Sequence, residues 1–195
     1  MRRHVLALTA MTALACAPLA TAQAYEIDIL TRQPFVVGPT GSADRPQASA
    51  IPREVVSFSG RYGAGTIVIS TSERRLYYVL GDGTAVRYGV GVGRPGFEWS
   101  GSKTISRKAE WPGWTPPPQM LKRRPDLPRH MAGGPDNPLG ARAMYLGSSL
   151  YRIHGSNEPE TIGQAVSSGC IRMTNDDVVD LYNRVRVGTR VVVQR

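Results

Sequence analysis

Apolar and polar positions divide the chain into four stretches. Residues 1–24 open with Arg2 and Arg3, stay apolar from position 5 to position 17, and close on Ala22-Gln23-Ala24. Between Val5 and Ala20 only Thr9, Thr12 and Cys16 interrupt the apolar run. A buried helix would need a polar face, so the pattern predicts a secretory signal cleaved after Ala24. A lipid-anchored alternative through Cys16 fits loosely, because Ala13 and Leu14 depart from the expected spacing. Residues 25–59 have little periodicity and are broken by Pro34, Pro39, Pro46 and Pro52, which predicts a flexible tether with one apolar knot at Phe35-Val36-Val37.

From position 60 to 195 the pattern is that of a folded domain. β-Branched and aromatic runs at 66–70, 76–80 and 85–92 predict strands, with Gly81-Asp82-Gly83 as a hairpin turn and Ser72-Glu73-Arg74 separating the first two. Residues 93–140 contain Trp99, Trp111, Trp114, three consecutive prolines and a Gly-Pro-rich cluster, and are expected to form ordered loops flanking a cleft. Strands are predicted at 142–146 and 150–154, followed by an extended segment through Cys170 to Met173. Thr174-Asn175-Asp176-Asp177 then opens a helix whose apolar stripe is Val178, Leu181, Tyr182 and Val185. Gly188 is expected to end that helix before a last strand at 190–193. The class is mainly β with a minor helix, and no internal repeat is visible.

Composition narrows this picture. With 195 residues, 41% hydrophobic, the chain can bury a sizeable core, and no apolar run beyond the first two dozen residues approaches the roughly 20 needed to span a bilayer. Two cysteines exclude a disulfide-dense mini-domain or a Cys-rich zinc module. The formal charge is +9 from 24 basic and 15 acidic residues, and about +7 once Arg2 and Arg3 leave with the signal. Export removes nucleic acid as a partner and leaves an anionic polymer or surface such as cell wall or lipid headgroups.

Signal cleavage also leaves Cys170 as the sole cysteine, so it is either an inert buried side chain, half of an intermolecular bridge, or a reactive thiol. His154 lies 16 positions upstream, across an excursion through Gly155-Ser156-Asn157-Glu158-Pro159 that could fold back like a hairpin. A free thiol near its ordinary pKa is only a few per cent thiolate at neutral pH, and lowering that pKa to 7 needs about 2 kcal/mol, which one close imidazole can supply. Ser167, Ser168 and Gly169 are small enough to admit a substrate carbonyl, with adjacent amides available for a developing oxyanion. A tight turn around a packed cysteine fits the spacing equally well. The pair supplies too few ligands for zinc, and His130 reads as an exposed loop residue.

These residues resemble a family. Ile153-His154-Gly155-Ser156, Ile162-Gly163, Ser167-Ser168-Gly169-Cys170-Ile171-Arg172-Met173, Asn175-Asp176-Asp177 and Val187-Gly188-Thr189-Arg190-Val191 look like the catalytic stretch of the L,D-transpeptidases, the YkuD-type domain. Upstream, Gly65-Thr66-Ile67-Val68-Ile69, Gly89-Val90-Gly91-Val92-Gly93 and Gly134-Pro135-Asp136-Asn137-Pro138-Leu139-Gly140 extend the likeness from about position 59 to the C-terminus. It implies a YkuD-like sandwich or barrel-like mixed sheet, no cofactor and no metal. Cys170 is then the nucleophile, His154 its base, and the Gly155 carbonyl the group that orients the imidazole. The Gly169 and Cys170 amides form the oxyanion hole, with Ser167 and Ser168 shaping the turn. Many members carry His where this chain has Ser168, so any role of a second imidazole is absent.

The implied substrate is a peptidoglycan stem peptide in the periplasm. Its third residue, usually meso-diaminopimelate, acylates Cys170 as D-Ala leaves, and a diaminopimelate amine accepts the acyl group in a 3-3 cross-link. Water or an amine of an outer-membrane protein is an alternative acceptor, and a non-catalytic wall-binding module is the rival of another class. Arg172 is expected on the face of Cys170, where it could bind a stem-peptide carboxylate or brace the turn.

Overall fold

The computed structural model describes residues 51–195 and two short strands before them; residues 1–24, read above as a secretory signal and including Cys16, lie outside the described residues. The chain divides into two units, Met1–Asp44 and Arg45–Arg195. In the first, β1 (Tyr25–Ile27) pairs antiparallel with β2 (Pro34–Val36), Tyr25 opposite Val36.

The second unit is built on a nine-stranded mixed sheet. Its strands are β3 (Glu54–Ser57), β4 (Ile67–Ser70), β5 (Arg75–Val79), β6 (Thr84–Gly89), β8 (Gly101–Glu110), β9 (Arg142–Leu146), β10 (Arg152–His154), β12 (Ile171–Arg172) and β13 (Arg190–Gln194). Their spatial order is β12-β10-β9-β8-β13-β4-β5-β6-β3, with β7 (Val92–Gly93) and β11 (Ala165–Ser167) forming a separate parallel pair. The meander β4-β5-β6 is antiparallel, as the alternating runs and the Asp-Gly turn predict. β13 returns parallel to β4, Val191 opposite Ile67, and β10 runs parallel to β12.

The two ends of the sheet approach each other. Gly91, just past β6, exchanges backbone hydrogen bonds of 2.9 Å in both directions with Arg172 of β12. The sheet is thereby rolled into a barrel-like form, because strands with a consistent right-handed twist coil toward closure. Ile67, Ile69, Leu76, Tyr88, Ile105, Met144, Leu146, Ile153, Ile171 and Val191 fill the interior, and helix α2 (Asn175–Arg184) packs Val178 and Leu181 against it. The buried Tyr88 ring sends its hydroxyl to Asp180 of α2 at 2.6 Å. No described helix is long and apolar enough to cross a membrane.

Three expectations differ from what is observed. The segment read as a tether contains β1, β2 and the edge strand β3, so the sheet begins before position 60. There Val55-Val56 continue the β6 ladder, and Arg53 reaches Asp177 and Asp180 of α2. The stretch 93–140, expected as loops, holds the ten-residue β8 and a short helix α1 (Pro118–Arg123). β8 escapes the periodicity test because Ile105 is its one fully buried apolar side chain. Its Arg107 and Lys108 instead lie over the Tyr145 and Tyr182 rings. Finally, α2 stops at Arg184 rather than at Gly188; Lys108 donates to the Tyr182 and Val185 carbonyls at 2.7 Å each, closing the helix end without a glycine.

Candidate active site

His154 ends β10, and the parallel register with β12 sets Ile153 opposite Ile171 and His154 opposite Arg172. Cys170 directly precedes β12, so the same register brings it level with Arg152, two residues before His154. The 16-residue excursion does return to its starting strand, but through the β11 segment and a 3₁₀ turn at Pro159–Thr161.

The imidazole is held from behind. His154 Nδ1 lies 2.6 Å from the Gly155 carbonyl, so Nδ1–H donates and Nε2 is left as the acceptor. Gly155 must be glycine on steric grounds, since a Cβ there would run into the Asn175 side-chain oxygen. That oxygen accepts from the Ala141 amide at 2.9 Å and ties the start of α2 under the catalytic strand. Thr174-Asn175-Asp176-Asp177 read in the sequence as the capping stretch of this helix. The side chain that does cap is Thr174, which accepts from the Asp177 amide at 3.2 Å.

The cysteine sits in a turn braced by its own serine. Ser167 Oγ donates to the Cys170 carbonyl at 2.6 Å and accepts from the Gly169 amide at 3.0 Å. Gly169 has φ +104°, and a Cβ there would come within 2.5 Å of the Tyr151 ring. Because Ser167 occupies the Gly169 amide, the Cys170 amide is the one of the expected oxyanion pair left outside this brace. Trp99 stacks on Tyr151, centroids 4.6 Å apart and rings 5° from parallel, and its indole N–H donates to the Gly169 carbonyl at 2.8 Å. Trp99 therefore belongs to the site, whereas Trp114 is buried against Met131 and Trp111 is exposed. His130 meets Thr115 Oγ1 in the loop.

Arg172 is buried and committed: its guanidinium meets Glu158 at 2.7 Å and Thr161 Oγ1 at 3.3 Å, with side-chain exposures of 7% and 9% for the ion pair. Of its two anticipated roles, bracing is the one the contacts fit, because the cation already has a buried anion. Arg94 is held against the same turn, its amide donating to the Ser167 carbonyl and its guanidinium 3.4 Å from Ser168 Oγ.

Electrostatics departs from the expectation of a preformed thiolate. Burial, reinforced by Arg172 and then Arg152 and opposed by the Gly155 carbonyl, pushes His154 down to about 3. Burial also pushes the Cys170 thiol up, against the pull of Arg152 and Arg172, although the residue keeps partial solvent exposure. The pair rests as neutral thiol and neutral imidazole at pH 7. Among the described residues, no group of three or more His, Cys, Asp or Glu side chains is placed to hold a metal ion.

Among the described residues, one thiol, an oriented imidazole and a braced glycine turn share one end of a rolled mixed sheet. The YkuD family model, that of the L,D-transpeptidase catalytic domain, matches residues 64–193, and the chain belongs to this family. Over 134 residues it is 44% identical to the Probable L,D-transpeptidase ErfK/SrfK of Escherichia coli K12, covering 65% of this chain and 43% of that protein. The chain thus spans under half the length of that relative. A crystal structure from Brucella melitensis, described as a probable carnitine operon oxidoreductase caia, is 47% identical and covers 76% of this chain and 96% of that one, with a TM-score of 0.51. L,D-transpeptidase 3 of Mycobacterium tuberculosis shares the fold at 21% identity and TM-score 0.53, covering 67% of this chain and 60% of that one.

Proposed function

We propose that the protein is an exported L,D-transpeptidase that joins peptidoglycan stem peptides through a thioester on Cys170. The observation that carries this reading is His154, whose Nδ1 is fixed on the Gly155 carbonyl so that Nε2 is free to take a proton beside the thiol strand. In acylation the Cys170 proton passes to His154 Nε2 as the sulfur attacks the carbonyl of the third stem residue. The tetrahedral oxyanion turns toward the Cys170 amide. The C–N bond to D-Ala then breaks, the imidazolium returns its proton to the departing amine, and a thioester remains. A diaminopimelate amine attacks this thioester, His154 takes the amine's proton, and the expelled thiolate recovers it. The product is a 3-3 cross-link, and the net change is exchange of one amide for another.

Neutral resting groups suit this chemistry, because a permanently ionised thiolate would be open to oxidation in an exported protein. The basic charge favours an anionic wall polymer, and the signal predicted at residues 1–24 supports a periplasmic location. The test is incubation of the protein with disaccharide-tetrapeptide, followed by intact mass and product analysis. A Cys170 adduct with 3-3 dimers supports the transpeptidase. Tripeptide without dimers transfers the acyl group to water, or leaves a protein amine such as that of an outer-membrane lipoprotein as the acceptor. No adduct, with Cys170→Ala binding the wall equally well, returns the non-catalytic module. Carbapenems are expected to add a mass at Cys170 alone.

A further inference from the structure

The proposed mechanism passes through a thiolate in a place whose burial opposes charge, so some group must receive that charge as it forms. Arg152 stands level with Cys170 in the β10–β12 register, on the same face of β10 as His154. Its Nη1 donates to the Leu150 carbonyl at 3.1 Å, and the Cys170 thiol donates to that same oxygen at 3.7 Å. Guanidinium and sulfur therefore converge on one acceptor. Arg152 Nε is buried and has no hydrogen-bond partner, which is costly for a charged group and calls for an explanation. Losing the thiol proton turns the contact with the Leu150 oxygen from attraction into repulsion, and only a donor beside the sulfur relieves it.

We infer that Arg152 is held beside Cys170 with its Nε–H in reserve, to be taken up by the thiolate once His154 has removed the proton. This rests on Cys170 being the nucleophile. It assigns to β10 both halves of the activation: His154 receives the proton and Arg152 receives the negative charge. An interaction strengthened only as charge develops lowers the barrier rather than the ground state. The Arg152 amide and side chain both act to keep the thiol lower than burial alone would leave it. Of the other charged groups nearby, Arg172 is neutralised by Glu158, Arg94 lies against Ser168, and Lys103 lies beyond the Trp99–Tyr151 stack. None of these replaces Arg152.

The experiment measures alkylation of Cys170 by iodoacetamide across pH in the full chain, alongside carbapenem acylation and circular dichroism. Arg152→Met is expected to raise the midpoint of the rate–pH profile by about one unit and to slow reaction at neutral pH about tenfold. Arg152→Lys, which keeps a cation without the Nε–H, is expected to recover part of that rate. If Arg152→Met does not fold, the lysine variant still decides, since its midpoint must lie above that of the unaltered protein. Folded variants with an unmoved midpoint, whatever their thermal stability, overturn the inference. Absence of any carbapenem adduct on the unaltered protein would instead overturn the nucleophile assignment, so the two failures are distinguishable.

Discussion

His154 is an imidazole that its own surroundings keep neutral, and this has a consequence outside the proposed catalysis. Held down to about 3 in the fold but near 6.5 in the unfolded chain, it binds a proton only after unfolding across that interval. The unfolded state therefore gains as pH falls, and the fold loses stability from about pH 6.5 toward pH 3. Urea denaturation at pH 7 and pH 5 should show the unaltered protein losing about 2 kcal/mol more than His154→Gln over that span. An equal loss in both would mean that His154 is solvated. At this scale the sequence was most legible where residue types are scarce: with one cysteine and two histidines beyond position 24, Cys170 and His154 stood out. Asn175, Arg152 and Trp99 did not, because an amide, an arginine and an indole acquire their roles from what they face. For Arg172 the sequence left binding a stem-peptide carboxylate and bracing the turn equally open, since nothing in the string of residues announces Glu158 as its buried partner.

Helix α2 connects the site to the rest of the fold and is capped by its own residue at the start and by a borrowed group at the finish. Thr174 caps the start, and Lys108, from β8, closes the finish. Thr174→Ala should cost about 1 kcal/mol in chemical denaturation, since the Asp177 amide loses its acceptor. An unchanged midpoint would assign the cap to solvent. The start of this helix was readable from Thr-Asn-Asp-Asp, but its end was not, because a lysine 74 positions away supplies it. β8 was hidden by the same kind of arrangement. Its long cationic side chains cover tyrosine rings, a burial that alternation of apolar residues does not register. β3 was masked by the prolines around it. The meander β4-β5-β6, with apolar residues and turn chemistry in agreement, was visible from the outset.

For the molecule as a whole, the decisive feature is that the sheet curls until Gly91 meets Arg172, with the Arg172–Glu158 pair under the join. Arg172→Met alone should destabilise the protein by about 3–5 kcal/mol, because it takes the ion-pair cation away from a buried carboxylate, whereas adding Glu158→Leu should restore much of the loss. A double-mutant cycle of urea midpoints measures this, and additive losses would mean the pair does not act as a unit. That rolled form was legible only through family likeness; the short strands fix pairings locally, and closure depends on contacts between segments some 80 positions apart. The indole stacked on Tyr151 beside the nucleophile turn has a further use. It makes the protein its own optical probe: if Cys170 is acylated as proposed, the acyl group should change the surroundings of Trp99, and with them its emission and the near-ultraviolet dichroism of the stacked rings. Trp99→Phe should silence that signal while Trp111 and Trp114 continue to fluoresce. Thioester formation and turnover can then be followed in real time, on unlabelled protein, by light alone.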